Sequence, residues 1–310
     1  MRRFLISTAA CALMATAAQA ENVGISLARF DSTFITILRD GMQKKADELG
    51  NITLQVEDAQ SDPSKQIDQV QNFISSGVDA IVVVAVDSDG TPAITKMAAD
   101  AKIPLVYVNH PPSDVDQLPD LTSFVGSDEL ESGTLQTKEV CRQLKGKGKA
   151  FVLMGPLNNH SSLVRTQDIK DVIATPECSG IQIIEEQSAN WDRLEAANLM
   201  TNWLSAGTPF DAVIANNDEM AIGAIQSMKA GGVDMSKVVV AGIDATPDGM
   251  AAMTAGDMDV TVFQNAISQG SAGLDAAVKM ARKEPAERKI WIPFELVTPE
   301  NMKDYMSSNQ

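Results

Sequence analysis

Histidine and cysteine are scarce in this chain. Only two His and three Cys occur among 310 residues, so a His-rich metal centre cannot be assembled, and no metal site is expected. No C-x-x-C pair is present, which removes the thioredoxin-like redox motif and the zinc ribbon. The G-x-S-x-G elbow, the G-x-x-x-x-G-K-[ST] phosphate loop, H-E-x-x-H and a G-x-G-x-x-G after the first strand are also missing, and no cofactor is expected. Positive charge is short: 25 Lys+Arg face 41 Asp+Glu, a formal net charge of -16. Such a surface repels nucleic acid. Low-complexity tracts are absent and 44% of residues are hydrophobic, which excludes disorder, collagen and coiled coil. Aromatics are only 5% of the chain, so a ring beside polar groups is informative.

What is present begins with an export signal over residues 1–20. Arg2 and Arg3 form a basic start, Phe4 to Ala17 is an apolar run too short for a bilayer, and Ala18-Gln19-Ala20 is an A-x-A cleavage site. Cleavage after Ala20 leaves Glu21 first and a periplasmic, soluble chain. It removes two Arg and no acid, taking the formal charge from -16 to -18. A lipoprotein anchored at Cys11 is disfavoured, because few apolar residues precede it and Thr8 stands where a lipobox has Leu. No later run approaches the ~18 apolar residues of a span. In an oxidising compartment Cys141 and Cys178 are either one disulfide or two buried thiols acting as small hydrophobes.

Short β-branched runs alternate with amphipathic stretches throughout. The runs are Val23–Ala28, Ile52–Asp58, Ala80–Val86, Leu105–Asn109, Ala150–Gly155, Ile181–Gln187, Ala212–Asn217 and Val238–Asp244. A run as continuously apolar as Ala80–Val86 implies a strand covered on both faces, hence parallel sheet wrapped by helices. The expected class is α/β, doubly wound. Ser75-Ser76-Gly77 followed by Asp79-Ala80-Ile81-Val82 is echoed by Ser205-Ala206-Gly207 followed by Asp211-Ala212-Val213-Ile214. That echo, with about ten strands, favours two lobes over one wide sheet. The expected division is residues 21–127 with 265–295 as the N-terminal lobe, and 128–264 with 296–310 as the C-terminal lobe. The segment after Asn265 is expected to hold one helix, a strand near Trp291–Leu296 and a short tail, shared between the lobes as a hinge.

In open parallel sheets ligands collect beyond the carboxyl ends of strands. The residues there are Arg29, Phe30 and Asp31; Asn109 and His110; Asn158 to His160, with Arg165 in the next helix; Trp191, Asp192 and Arg193; Asn217 and Asp218; Asp244; and Gln264. Amides, carboxylates, a guanidinium and rings suit a polyol, because forked groups bond adjacent hydroxyls and rings stack on C–H faces. Each has a plainer explanation. Asp31 or Asp218 could cap a helix, Asp244 could start the turn through Pro247 and Gly249, Arg165 could be a surface ion pair, His110 could end a strand, and Trp191 could be core. A carboxylate pair such as Asp31 and Asp244 would in principle serve a glycosidase, whose chemistry needs two acids flanking a bond.

The segments Asn217-Asp218-Glu219-Met220-Ala221-Ile222-Gly223-Ala224 and Gly242-Ile243-Asp244-Ala245-Thr246-Pro247-Asp248-Gly249, with the export signal and echoing lobes, resemble the periplasmic sugar-binding proteins of the ribose-binding type. Ala28-Arg29-Phe30-Asp31-Ser32-Thr33-Phe34 is most similar to their inositol- and rhizopine-binding members. The resemblance covers the mature chain and implies a type I periplasmic binding protein fold. It further implies ligand contacts at Phe30 and Phe34 as first-loop aromatics, Arg165 as clamp, Trp191 as stacking ring, and Asn217, Asp244 and Gln264 as amide, carboxylate and hinge glutamine. Two positions depart from ribose binders: Asn109-His110 replaces an Asp-Arg pair, and Asp31 stands where they carry Asn. The pocket is thereby less positive, favouring a neutral cyclitol or one bearing an amino group with Asp31 as its partner; helix capping is the alternative for Asp31.

The expected function is therefore a non-enzymatic, monomeric substrate-binding subunit of an ABC importer. It closes over a cyclitol, presents two lobes to an inner-membrane permease and has a chemoreceptor as a further candidate partner. The alternatives are a pentose or hexose binder, a chemoreceptor-coupled sensor, and a secreted glycoside-processing enzyme. A repressor is disfavoured, since an export signal stands where a DNA-binding helix-turn-helix would be. Arg165→Ala or Asp244→Ala is expected to abolish binding without unfolding.

Overall fold

A computed structural model describes residues 20–309; the export signal lies outside the described residues but for Ala20. The chain begins with β1 (Glu21–Leu27), α1 (Thr33–Leu49), β2 (Ile52–Asp58), α2 (Pro63–Ser76), β3 (Ala80–Val83), α3 (Thr91–Ala101), β4 (Leu105–Val108) and β5 (Thr122–Gly126). It continues through α4 (Glu129–Gln143), β6 (Lys147–Met154), α5 (His160–Ile173), β7 (Gly180–Ser188), α6 (Arg193–Ser205), β8 (Ala212–Ala215), α7 (Asp218–Ala230), β9 (Val239–Ala241), α8 (Pro247–Thr254) and β10 (Thr261–Gln264). It ends with α9 (Ala266–Ala281), β11 (Lys289–Trp291) and β12 (Phe294–Val297).

Two parallel sheets result. The first has the order β11-β5-β4-β3-β1-β2 and the second β7-β6-β8-β9. The bridges Ala241↔Val260 and Asp244↔Phe263 attach the antiparallel pair β10-β12 to the free edge of β9. Helices cover both faces of each sheet, as the unbroken apolar strands require. Leu38, Met42 and Leu274 of α1 and α9 seal one face of the first sheet, and Val70, Phe73 and Ile94 of α2 and α3 seal the other. In the second sheet Met200, Met220 and Met250 of α6, α7 and α8 lie on one side, with Val140 and Ile169 of α4 and α5 on the other.

The sequence echo is structural: α2 and α6 are followed by Gly77 and Gly207, both with positive φ, and then by β3 and β8, core strands of the two sheets. The single strand expected near Trp291–Leu296 is instead two. β11 pairs in parallel with β5 of the first sheet, whereas β12 runs antiparallel to β10 in the two-stranded pair bridged to β9. Pro293 stands between them, and a residue without an N–H cannot extend a ladder. The chain thus passes between lobes three times: after β5, after β10, and between β11 and β12. Cys141 and Cys178 form a disulfide, which decides between the two readings left open by the sequence. It ties the end of α4 to the turn before β7.

Candidate functional site

The carboxyl ends of strands from both sheets meet at a cavity of about 690 Å³. That size suits a small molecule. Phe30, Asp31, Phe34, Asn109, His110, Arg165, Trp191, Asn217, Asp244 and Gln264 all line it. Arg29, Asn158, Asn159 and Asp192, also noted at strand ends, line it too. His160, Arg193 and Asp218 do not.

Arg165 is not a surface ion pair. It is 4% exposed, and its Nε and Nη2 donate to the two oxygens of buried Glu129 at 2.7 and 3.1 Å. Nη1 donates to the Asn216 carbonyl at 2.8 Å and Nη2 also reaches Gln264 Oε1 at 3.4 Å. A guanidinium has five N–H bonds, so one Nη1 hydrogen remains for a ligand. Burial pushes the Arg165 pKa down, but the charge and hydrogen bonds of Glu129, joined by the charges of Asp244 and Asp168, together outweigh it and the net shift is upward. The cation is thus permanent, rigid and already neutralised within the protein. Trp191 lies over it with the guanidinium 5.5 Å from the ring centroid, so this ring is a cavity wall and not plain core.

Asp244 supplies the opposite character. It is buried, and desolvation drives its pKa well above the ordinary value; Arg165 counters this and neighbouring Asp218 reinforces it. Its backbone sits at φ 125, followed by Ala245 at φ 50, left-handed positions that a non-glycine residue occupies only when its surroundings hold it there. Part of that hold comes from the far end of the chain: Asn309 Nδ2 donates to the Asp244 and Gln264 carbonyls at 2.9 and 2.8 Å, and its Oδ1 accepts from Ala266 N.

Asn217 fills both roles considered for strand-end residues. Its Oδ1 caps α7 by accepting from Met220 N at 3.0 Å, leaving Nδ2 for the cavity. Asp218 is therefore not the cap of α7. It is fully buried beneath the cavity, and burial pushes its pKa up to about 7 against hydrogen bonds from Thr246 and Thr261. Nor does Asp31 cap α1, since Ser32 does. Asp31 stands at the mouth with its side chain 73% exposed and pairs with Arg29, whose Nη2 donates to it at 2.9 Å. A buried carboxyl is thus found at Asp244, and an exposed carboxylate already matched by Arg29 at Asp31.

On the first lobe, Asn109 donates through Nδ2 to Gln269 Oε1 at 3.0 Å, which leaves Oδ1 as an acceptor. His110 Nδ1 meets the Ala85 carbonyl at 2.6 Å, so Nδ1 carries the proton and Nε2 accepts. Burial lowers the His110 pKa and keeps the ring neutral. Gln264 Nε2 and Trp191 Nε1 are buried polar hydrogens with no partner among the described residues. The cavity lining thus combines acceptors (Asp244, His110, Asn109) and donors (Arg165, Gln264, Asn217) with the rings of Phe34 and Trp191. That is hydroxyl chemistry.

Sequence reasoning did not single out Asp58, Gln60 and Ser61 at the end of β2, or Ser161, Asn190 and Glu195, all of which line the cavity. The strand-end rule applied to β2 finds the first three. Nothing in the sequence marks Glu129.

Residues 23–285 match the periplasmic binding protein domain. The chain belongs to that family. It is 56% identical, over all of both chains, to the "Putative rhizopine-binding protein" of Rhizobium meliloti. It is 34% identical to the xylitol-binding protein of Mycolicibacterium smegmatis, over 94% of this chain and 82% of that one. Among solved structures, an ABC transporter solute-binding protein of Bacillus halodurans with bound myo-inositol superposes with a TM-score of 0.88 at 40% identity, covering 94% of this chain and 98% of the other. These relatives are binding proteins, not enzymes, and the family places the chain in the periplasmic class.

Proposed function

We propose that this protein is the substrate-binding subunit of an ABC importer and captures a cyclitol, either inositol or an amino-inositol, by closing its two lobes over it. The observation that carries this reading is the meeting of forked donors, acceptors and aromatic faces from both lobes in one cavity. The Rhizobium meliloti relative and the myo-inositol-bound neighbour support a cyclic polyol. Neutralisation of Arg165 by Glu129 leaves no free positive charge on the cavity floor, which disfavours anionic sugars. An ammonium on the ligand would meet Asp244 at depth and Asp31 and Asp192 at the mouth.

The ten residues expected from the sequence are proposed as its contacts: Phe30, Phe34 and Trp191 as faces, the others as hydrogen-bonding groups. The proposed lobes are residues 21–127 with 265–295, and 128–264 with 296–310, supported by the pairing of β11 with β5 and of β12 with β10. The exported, monomeric chain would lose residues 1–20 and present its closed form to a permease, with a chemoreceptor as a second reader of the same state. Calorimetric titration with myo-inositol, an inosamine and ribose tests the ligand class. Tightest binding should be to a cyclitol, and tightest binding to ribose would overturn it. The xylitol-binding relative favours a second reading, an acyclic or five-carbon polyol, which xylitol in the same titration covers.

A further inference from the structure

We propose that Asp218, although outside the cavity, is a positioning residue that sets the ligand-contacting carboxylate of Asp244 from beneath. The proposal rests on the reading that the cavity is a ligand site. Its carboxylate accepts from Thr246 N at 2.8 Å, Thr246 Oγ1 at 3.0 Å and Thr261 Oγ1 at 2.7 Å. Thr261 Oγ1 in turn accepts from Ala245 N at 3.2 Å, and the Asp218 N–H donates to the Ile243 carbonyl at 2.8 Å. Residues 243, 245 and 246, on both sides of Asp244, are therefore tied to Asp218 directly or through one hydroxyl. Those are the residues that must hold two successive left-handed conformations in place.

The fit admits no substitute side chain around it. A Cβ on Gly242 would lie 2.3 Å from Asp218 Oδ1, and one on Gly249 would lie 2.3 Å from Oδ2. The two sequence segments that carried the family resemblance are thus two halves of one device: a carboxylate in the first, and in the second a cage of two glycines and a threonine around the turn that bears Asp244. Asn217, next in the chain, lines the cavity itself, so one buried anchor sets two candidate contacts.

The test measures myo-inositol affinity by calorimetry and amide hydrogen exchange of Ile243–Thr246 without ligand. Asp218→Ala should weaken binding at least tenfold and accelerate that exchange. Asp218→Asn, which keeps one carbonyl acceptor for Thr246, should recover most of both. Thr261→Val, which removes one strut, should fall between and serves if the Ala variant does not fold. Ile181→Ala, in the second lobe's core next to the disulfide, provides a variant lowered in melting temperature that should keep its affinity within twofold. A loss of affinity in Ile181→Ala equal to that in Asp218→Ala would overturn the proposal. If the wild type binds no myo-inositol, the functional reading has failed, and the exchange pattern still decides this one: unchanged protection of Ile243–Thr246 in Asp218→Ala refutes it.

Discussion

Removing the Arg165 guanidinium strands Glu129, which is buried and shares both carboxylate oxygens with it. The clean loss of binding expected of Arg165→Ala from the sequence is therefore replaced by two losses. Binding should vanish, and an unpaired buried charge should cost roughly 3–5 kcal/mol of stability. Arg165→Met combined with Glu129→Gln should regain most of the stability but none of the binding, as thermal melts beside calorimetry would show. A second prediction concerns Asp168, whose Oδ2 is buried without a partner among the described residues and whose pKa burial raises from 3.8 to about 7. The folded chain holds that proton more tightly than the unfolded one, so stability falls as pH rises from about 4 to about 7 and stays lowered above. Asp168→Asn should raise the melting temperature at pH 8 by about 2–4 °C, with little change at pH 4. Asp244 and Arg165 were legible because strand ends in a parallel sheet have a known destination. Glu129 was not, since a first-turn acid in an ordinary helix looks the same whether it faces water or a guanidinium. The capping alternative for Asp31 stayed open in the sequence because Asp and Ser both cap helices, and only geometry shows that Ser32 does so here.

At the scale of elements, the strands that announced themselves are those whose residues are nearly all apolar. β5 did not, because Thr122 and Ser123 interrupt it although both are buried. β10 is four residues long and was marked only by the strand end at Gln264, since two apolar residues make too short a run to stand out. The disulfide could not be read from spacing, because two cysteines 37 residues apart are compatible with bonded and free states alike. It lies at the amino ends of the second lobe's strands, away from the cavity at their carboxyl ends. Replacing both cysteines by Ala should cost about 3–4 kcal/mol through the entropy of the released loop. Chemical denaturation should show that loss, and ligand affinity should stay within about twofold.

For the whole molecule, the described form has the lobes in contact at both rims of the cleft. Thr33 donates to Glu219 at 2.8 Å, Ser88 N donates to the Asn158 carbonyl at 3.1 Å, and Arg29 reaches Asp192 at 3.4 Å. A ligand can favour this form only through contacts it makes to both lobes. X-ray scattering should accordingly show a smaller radius of gyration with myo-inositol than without. Thr33→Val should speed dissociation several-fold in stopped-flow measurements while leaving association nearly unchanged, because it loosens the closed state alone. The three passages of chain between lobes confine this motion to a rotation about a narrow strap.

Asn309 makes the cavity floor depend on a residue that does not line it. Its amide stitches the carbonyls of Asp244 and Gln264 to the start of α9, so the turn bearing Asp244 is complete only when the segment around Asn309 is docked. A change that undocks this segment would loosen the floor from behind, with every side chain that faces the cleft left intact.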